Sequence, residues 1–190
     1  PLHNYEEVLR FVQLCHDPEV LGLGYRHMTL STCGVVPALK RLRQEGLPLT
    51  LSISLHAPND ELRSRIMPVN RTYPLPALLA AADAYAAATG RRITYEYTLM
   101  EDWNDSQQQA EELAVLLRGR LCHVNLIPVN AVAERGIARP SPQRVEAFAQ
   151  VLQTRGIAVT IRRERGVDIQ AACGQLRNRN RNESAKEEET

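Results

Sequence analysis

Cys173 is one of four cysteines in this sequence, and a cysteine thiolate is a nucleophile that can form covalent intermediates. Ala171 and Ala172 precede Cys173 and Gly174 follows it. Such small neighbours let a bulky partner approach the sulfur closely, but they also fit a buried thiol in a tight turn. The residues around Cys173 are therefore compatible with a reactive cysteine and with a structural one.

A second set of polar side chains stands where predicted strands end. Its members are Ser31, Ser54, His56 and Asn130. Each one alone fits a helix cap or a turn. At the carboxyl ends of parallel strands they are expected to line one rim, which would suit a small polar ligand such as a nucleoside. His56 fits a general base, a donor that orients a ligand, or an ordinary loop histidine.

Other chemistries have no support in the sequence. Cys15, Cys33 and Cys122 are widely spaced and no CxxC pair exists, which argues against a zinc site built from cysteine pairs. The GxSxG motif of serine hydrolases is absent, and so are GxGxxG and the P-loop. The sequence thus argues against a zinc site built from cysteine pairs, a serine hydrolase, a dinucleotide-binding enzyme and a P-loop enzyme.

The elements that position these residues follow from the hydrophobic pattern. Helical and strand patterns alternate as α-β-α-β-α-β-α-β-α-β, which predicts a parallel sheet with right-handed crossovers. The predicted strands are residues 27–31, 49–55, 92–99, 122–127 and 157–161. The predicted helices are one that Asn4 caps and those over 36–43, 60–66, 75–89, 104–117 and 141–154. An open doubly wound sheet and part of a (β/α) barrel both fit this α/β pattern.

Length and composition indicate an ordinary soluble domain. The chain has 190 residues, of which 44% are apolar and 24% are charged. Its apolar runs fall short of the ~20 residues that span a bilayer, and residues 1–4 do not resemble a signal peptide. We therefore expect a reducing, cytoplasmic location. We expect one domain over residues 1–177 and a disordered polar tail over residues 178–190.

Charge is balanced overall but uneven along the chain. The net charge of +1 does not by itself indicate a nucleic-acid binder. Seven arginines lie between residues 155 and 181, opposed there by Glu164 and Asp168 alone. Clustered arginine is suited to phosphate contacts, although a solvated arginine-rich face fits equally well.

Four segments, taken together and in this order, carry a family resemblance. They are residues 29–37 (TLSTCGVVP), 54–59 (SLHAPN), 125–130 (NLIPVN) and 166–176 (GVDIQAACGQL). In order and spacing they resemble the radical S-adenosylmethionine (SAM) enzymes that methylate carbon 2 of an adenine in 23S rRNA, the RlmN family. The resemblance extends from Pro1 to about Arg177 and corresponds to the C-terminal part of such an enzyme.

The resemblance implies a fold, a mechanism and a set of site residues. The fold would be the C-terminal strands of a partial (β/α) barrel of the radical-SAM type. SAM would be bound at the rim, with a 4Fe-4S cluster as second cofactor, and the positions implied are Ser31, Ser54, Leu55, His56 and Asn130. Cys173 would carry the methyl group as S-methylcysteine, from which a 5′-deoxyadenosyl radical takes a hydrogen before the carbon adds to adenine. The substrate would be 23S rRNA, with tRNA as a second candidate, and the full-length enzyme is expected to be a monomer.

This sequence also departs from the family pattern. The CxxxCxxC motif that binds the cluster is absent, and so is the Gly-Glu-Pro motif, unless Pro1 is its last residue. The second cysteine of the mechanism matches none of Cys15, Cys33 and Cys122, and the N-terminal RNA-binding domain has no counterpart. Two alternatives stay open: a non-catalytic remnant that at most binds RNA or a partner, and an unrelated barrel enzyme that uses His56 and Cys173.

Overall fold

In a computed structural model, which describes residues 1–131 and 136–162, the chain forms one parallel sheet flanked by helices. The strands are β1 (Thr29–Thr32), β2 (Thr50–Ser54), β3 (Ile93–Leu99), β4 (Cys122–Pro128) and β5 (Ala158–Ile161). The helices are α1 (Tyr5–His16), α2 (Val36–Glu45), α3 (Asp60–Ile66), α4 (Leu75–Thr89), α5 (Gln107–Leu117) and α6 (Pro142–Thr154), with short 3-10 helices at Tyr25–His27 and Pro68–Arg71. Cys173 and the predicted tail over 178–190 lie outside the described residues.

The strands lie side by side in chain order, β1-β2-β3-β4-β5, and all four pairs are parallel. A doubly wound sheet reverses its strand order at one point, and this sheet does not. Because right-handed crossovers that always step the same way put their helices on one face, the sheet has the winding of a partial barrel. The barrel interpretation is confirmed and the doubly wound alternative is wrong.

The two faces of the sheet differ in chemistry because successive side chains on a strand point to opposite sides. One face packs against the helices and is fully buried on the central strands, with Ile53, Tyr95 and Leu126 at 0% exposure. Phe148 of α6 lies against Tyr97 there, with ring centroids 5.2 Å apart. The opposite face, the polar face, also carries Ile127 and Ala158 but consists mainly of polar residues, among them Ser31, Ser52, Ser54, Thr94, Glu96, Thr98, His123, Asn125 and Thr160.

The predicted start of the helix at Ser141 is confirmed, whereas two expectations at other helix starts are wrong: Asn4 does not cap α1, and α5 begins at Gln107 rather than at residue 104. The side chain of Ser141 accepts a hydrogen bond from the Arg144 backbone, and Ser106 and Gln109 form a capping box. Asn4 precedes α1 as predicted, but its side chain makes no capping hydrogen bond. Its φ of −111° and ψ of 56° differ from the extended geometry of capping residues. None of the helices in the described part of the chain is both long and apolar enough to cross a membrane.

Gly34 fixes how the chain leaves β1. It is buried, has φ of +100°, and donates its N–H to Thr32 Oγ1 at 3.1 Å. A Cβ atom there would lie 2.7 Å from Leu78 Cδ1 on α4. Glycine is therefore required both by the backbone angle and by the close approach of α4.

We predict that Gly34→Ala lowers the free energy of unfolding by about 3 kcal/mol, because strain at positive φ adds to overpacking against Leu78. The matched control is Gly46→Ala at the end of α2, where φ is +65° and no atom lies within 4 Å of the added Cβ. That variant carries the backbone strain alone, at about 1 kcal/mol. Urea denaturation measures both, and equal losses would contradict the packing argument.

Candidate functional site

Ser31 and Ser54 project from neighbouring strands onto the polar face. Ser31 on β1 is paired in register with Ser52 on β2, and Ser54 on β2 is paired in register with Glu96 on β3. Ser31 is exposed and Ser54 is half-buried. Within residues 1–131 and 136–162, neither hydroxyl group has a hydrogen-bond partner, so both are available to a ligand.

Asn130 and Leu55 occupy two further positions at this rim. Asn130 follows β4 by two residues and is half-buried, and the Val129 N–H beside it donates to Leu99 O at 3.0 Å. Leu55 follows β2 directly, but its side chain is fully buried in the core. The backbone of Leu55 is also engaged, because its N–H donates to Glu96 O at 3.0 Å and its carbonyl accepts from Arg63 Nε at 3.1 Å. A ligand at the rim can therefore meet the side-chain amide of Asn130, whereas Leu55 presents no exposed group to it.

His56 is held in one orientation and one protonation state. Its φ is +60°, and its Nδ1 accepts a hydrogen bond from the Thr98 N–H at 3.0 Å. Burial, assisted by the positive charge of Arg63, lowers its pKa to about 4. The ring is thus neutral near pH 7, with its proton on Nε2. No free lone pair remains on the ring, which favours a ligand-orienting donor over a general base.

Arg63 of α3 ties together the ends of two strands. It is fully buried, and burial lowers its pKa. Its Nη2 donates to Cys33 O at 2.9 Å and to Ser54 O at 3.0 Å, and its Nε donates to Leu55 O at 3.1 Å. Nη1 donates to Asn70 Oδ1 at 2.9 Å. The guanidinium therefore fixes the segments that follow β1 and β2 relative to each other.

Asn104 similarly connects the segment after β2 to the end of β3. Its Nδ2 donates to His56 O at 2.8 Å and to Thr98 O at 2.7 Å, while its Oδ1 accepts from the Met100 N–H at 2.7 Å. Its side chain is fully buried. The sequence pattern placed Asn104 at the start of a helix, but the helix begins at Gln107 and Asn104 instead holds the loop beneath His56.

Glu96 stands near the end of a predicted strand but is not among the positions that the resemblance implies, yet it lies at the centre of the polar face. Its Oε1 accepts from Ser52 Oγ and its Oε2 from Asn125 Nδ2, both at 2.8 Å. Asn125 Oδ1 in turn accepts from Thr160 Oγ1 at 3.2 Å. A polar network thus crosses four strands beside Ser54. The alternation of Thr94, Glu96 and Thr98 in β3 is the sequence signal that could have revealed it.

The resemblance implies two cofactors, SAM and a 4Fe-4S cluster, and the described residues fit only the first of them. The rim and the polar face offer hydroxyl, amide, imidazole N–H and carboxylate groups, which fit the polar parts of a nucleoside such as SAM. Cys15, Cys33 and Cys122 do not converge, and no cluster of metal-ligating side chains exists among residues 1–131 and 136–162. The described residues therefore fit SAM but do not provide ligands for an iron–sulfur cluster.

Comparison with known proteins agrees with this geometry. A curated relative from Symbiobacterium thermophilum, named probable dual-specificity RNA methyltransferase RlmN, is 59% identical over 180 residues, which is 94% of this chain and 48% of the relative. A relative of the same name from Desulforudis audaxviator is 52% identical over 187 residues, 98% of this chain and 59% of that protein. No protein-family model matches the chain.

Solved structures of two other proteins are similar to this chain. The crystal structure of a radical SAM methyltransferase from Sphaerobacter thermophilus matches with a TM-score of 0.87 and 51% identity, over 92% of this chain and 51% of that one. A domain of the pyruvate-formate lyase-activating enzyme from Bacteroides vulgatus, at 16% identity and a TM-score of 0.65, shares the fold. The chain spans about half the length of the curated relatives it matches. Because sequence and fold agree over nearly all of the chain, it belongs to the RlmN family.

Proposed function

We propose that this chain is the C-terminal part of a cytoplasmic radical-SAM methyltransferase that acts on carbon 2 of an adenine in 23S rRNA, with tRNA as a second substrate. The observation that supports the proposal is the rim of the sheet: Ser31 and Ser54 lie on the polar face of the adjacent strands β1 and β2, and His56 follows β2 by two residues. These side chains match positions implied by the family resemblance, and the family itself is established for the chain.

In this proposal the rim binds SAM through several groups. Ser31, Ser54 and Asn130 offer side-chain hydroxyl and amide groups, and His56 donates from Nε2. Leu55, which is buried between Ser54 and His56, anchors this segment in the core. When bound, SAM supplies the methyl group and, after reductive cleavage, a radical. The protein's part is to hold the ligand in one position and exclude water, as is general for enzymes that depend on a cofactor.

The chemistry of the substrate explains the role proposed for Cys173. Carbon 2 of adenine is electron-poor, so it is a poor nucleophile towards an ordinary methyl donor. A thiolate is a good nucleophile, and Cys173 can accept a methyl group by polar transfer and then present it to the base. Because the described residues offer no ligands for the cluster, we expect its cysteines elsewhere in the complete protein.

The genomic sequence tests whether the chain belongs to a longer enzyme. We predict that the reading frame continues upstream of Pro1 into a CxxxCxxC motif. DNA sequencing of that region is the measurement. A start codon immediately before Pro1 would contradict the prediction and favour the non-catalytic remnant.

Substitution of the methyl carrier tests the reaction. We predict that Cys173→Ala in the complete protein abolishes methyl transfer to 23S rRNA, because no thiol remains to accept the methyl group. Mass spectrometry of nuclease-digested RNA measures 2-methyladenosine. Cys122→Ala is the matched control, since burial raises the pKa of that thiol and keeps it unreactive. Methylation retained by Cys173→Ala would remove the role proposed for that residue.

The pH dependence of stability tests the state of His56. Its pKa is about 4 in the folded chain and about 6.5 when unfolded. The unfolded state therefore binds the proton first, and stability present above pH 6.5 is lost as pH falls towards 4. We predict that, when the pH falls from 7 to 5, the free energy of unfolding decreases by about 2 kcal/mol more in the parent than in His56→Gln.

Urea denaturation at the two pH values gives this difference directly. The control is His27→Gln, which replaces an exposed histidine and should keep the pH dependence of the parent. If His56→Gln also kept it, His56 would not be the buried neutral group described above.

A further inference from the structure

The carboxylate of Glu96 is anchored from both sides on the polar face. Ser52 on β2 donates to Oε1 and Asn125 on β4 donates to Oε2, both at 2.8 Å. These two donors hold the carboxylate in one place between neighbouring strands. Since each carboxylate oxygen can accept two hydrogen bonds, each retains one position for another partner.

The charge of Glu96 has no counterpart among the described residues. No ion pair joins it to residues 1–131 or 136–162. Its neighbour His123 does not provide a cation, because burial and the charge of Arg92 together lower the pKa of His123 despite the opposing effect of Glu96. Glu96 is half-buried, and a carboxylate removed from water is stabilised by a positive charge. The polar face is therefore suited to a cationic ligand.

Glu96 also lies within the region proposed for SAM. It is paired in register with Ser54, and its backbone carbonyl accepts from the N–H groups of Leu55 at 3.0 Å and His56 at 3.3 Å. Ser52, which donates to its carboxylate, is the register partner of Ser31. Glu96 is thus surrounded on one side by the residues that would bind SAM.

We propose that Glu96 binds SAM directly and pairs with its sulfonium. The amino and carboxyl groups of the methionine part carry opposite charges, so the net positive charge of SAM resides on sulfur. A fixed carboxylate favours that cation over the neutral thioether of S-adenosylhomocysteine, because attraction is strong where water is partly excluded. The proposal rests on the proposed function and adds a residue that selects the charged, methyl-bearing form of the ligand.

Comparison of the two ligands tests this inference. The measurement is equilibrium binding of SAM and of S-adenosylhomocysteine to the complete protein purified with its iron–sulfur cluster. We expect Glu96→Gln to weaken SAM binding about tenfold and S-adenosylhomocysteine binding less than twofold. Glu96→Asp keeps the charge and should restore part of the preference for SAM. Glu146→Gln, which removes an exposed carboxylate on α6, should bind both ligands like the parent.

The outcomes separate this inference from the proposed function. Equal losses for both ligands would mean that Glu96 acts only through the network of Ser52 and Asn125, and would overturn the charge pairing. Unchanged binding of both ligands would also overturn it, and would mean that another part of the protein neutralises Glu96. If the parent protein itself bound no SAM, the proposed function would fail instead.

Discussion

The geometry of the rim depends on the hydrogen bonds that the buried guanidinium group of Arg63 makes to the ends of two strands. The guanidinium is a charged group with no exposed surface, and its hydrogen bonds go to backbone carbonyls and one amide oxygen. Removal of a cation from water is costly unless its donors are satisfied. Here four of its five N–H groups donate, to the carbonyls of Cys33, Ser54 and Leu55 and to Asn70 Oδ1, so the cost of burial is largely offset where β1 and β2 end. The same contacts prevent those segments from moving independently.

The buried charge of Arg63 also affects His56 at the rim of the sheet. Because Arg63 lies near His56, its charge adds to burial in keeping the imidazole neutral. The Thr98 N–H takes the Nδ1 lone pair, and Asn104 holds the His56 carbonyl. The Nε2–H donor is therefore already oriented in the absence of a ligand, and this preorganisation lowers the entropic cost of binding. On the same face, Glu96 contributes a carboxylate that is fixed by two strands.

The sequence was most informative where periodicity dominates. The apolar and hydroxyl alternation of residues 49–55 predicted β2, and the same alternation explains why Ser54 lies on the polar face while Leu55 is buried in the core. The family resemblance supplied the barrel, which alternation alone left undecided. Asn4 shows the limit of local signals: a favourable residue type precedes α1, yet its backbone does not adopt the capping geometry.

Arg63 and Asn104 could not be predicted from sequence for a related reason. An arginine on a short polar helix usually projects into solvent, and its burial here results from long-range contacts with the ends of two strands. Asn104 resembles a residue that starts a helix, but its partners lie 48 positions away at His56 and in the neighbouring β3. Such contacts arise from the packing of loops that are distant in the chain, which no short window of sequence contains.

The central claim is that a SAM molecule held at this rim delivers its methyl group to Cys173. Peptide mass spectrometry of the complete protein, after incubation with SAM that carries a deuterated methyl group, tests this claim most directly. The account predicts the labelled methyl on the peptide that contains Cys173. A label on another residue, or no label in a protein that binds SAM, would contradict it.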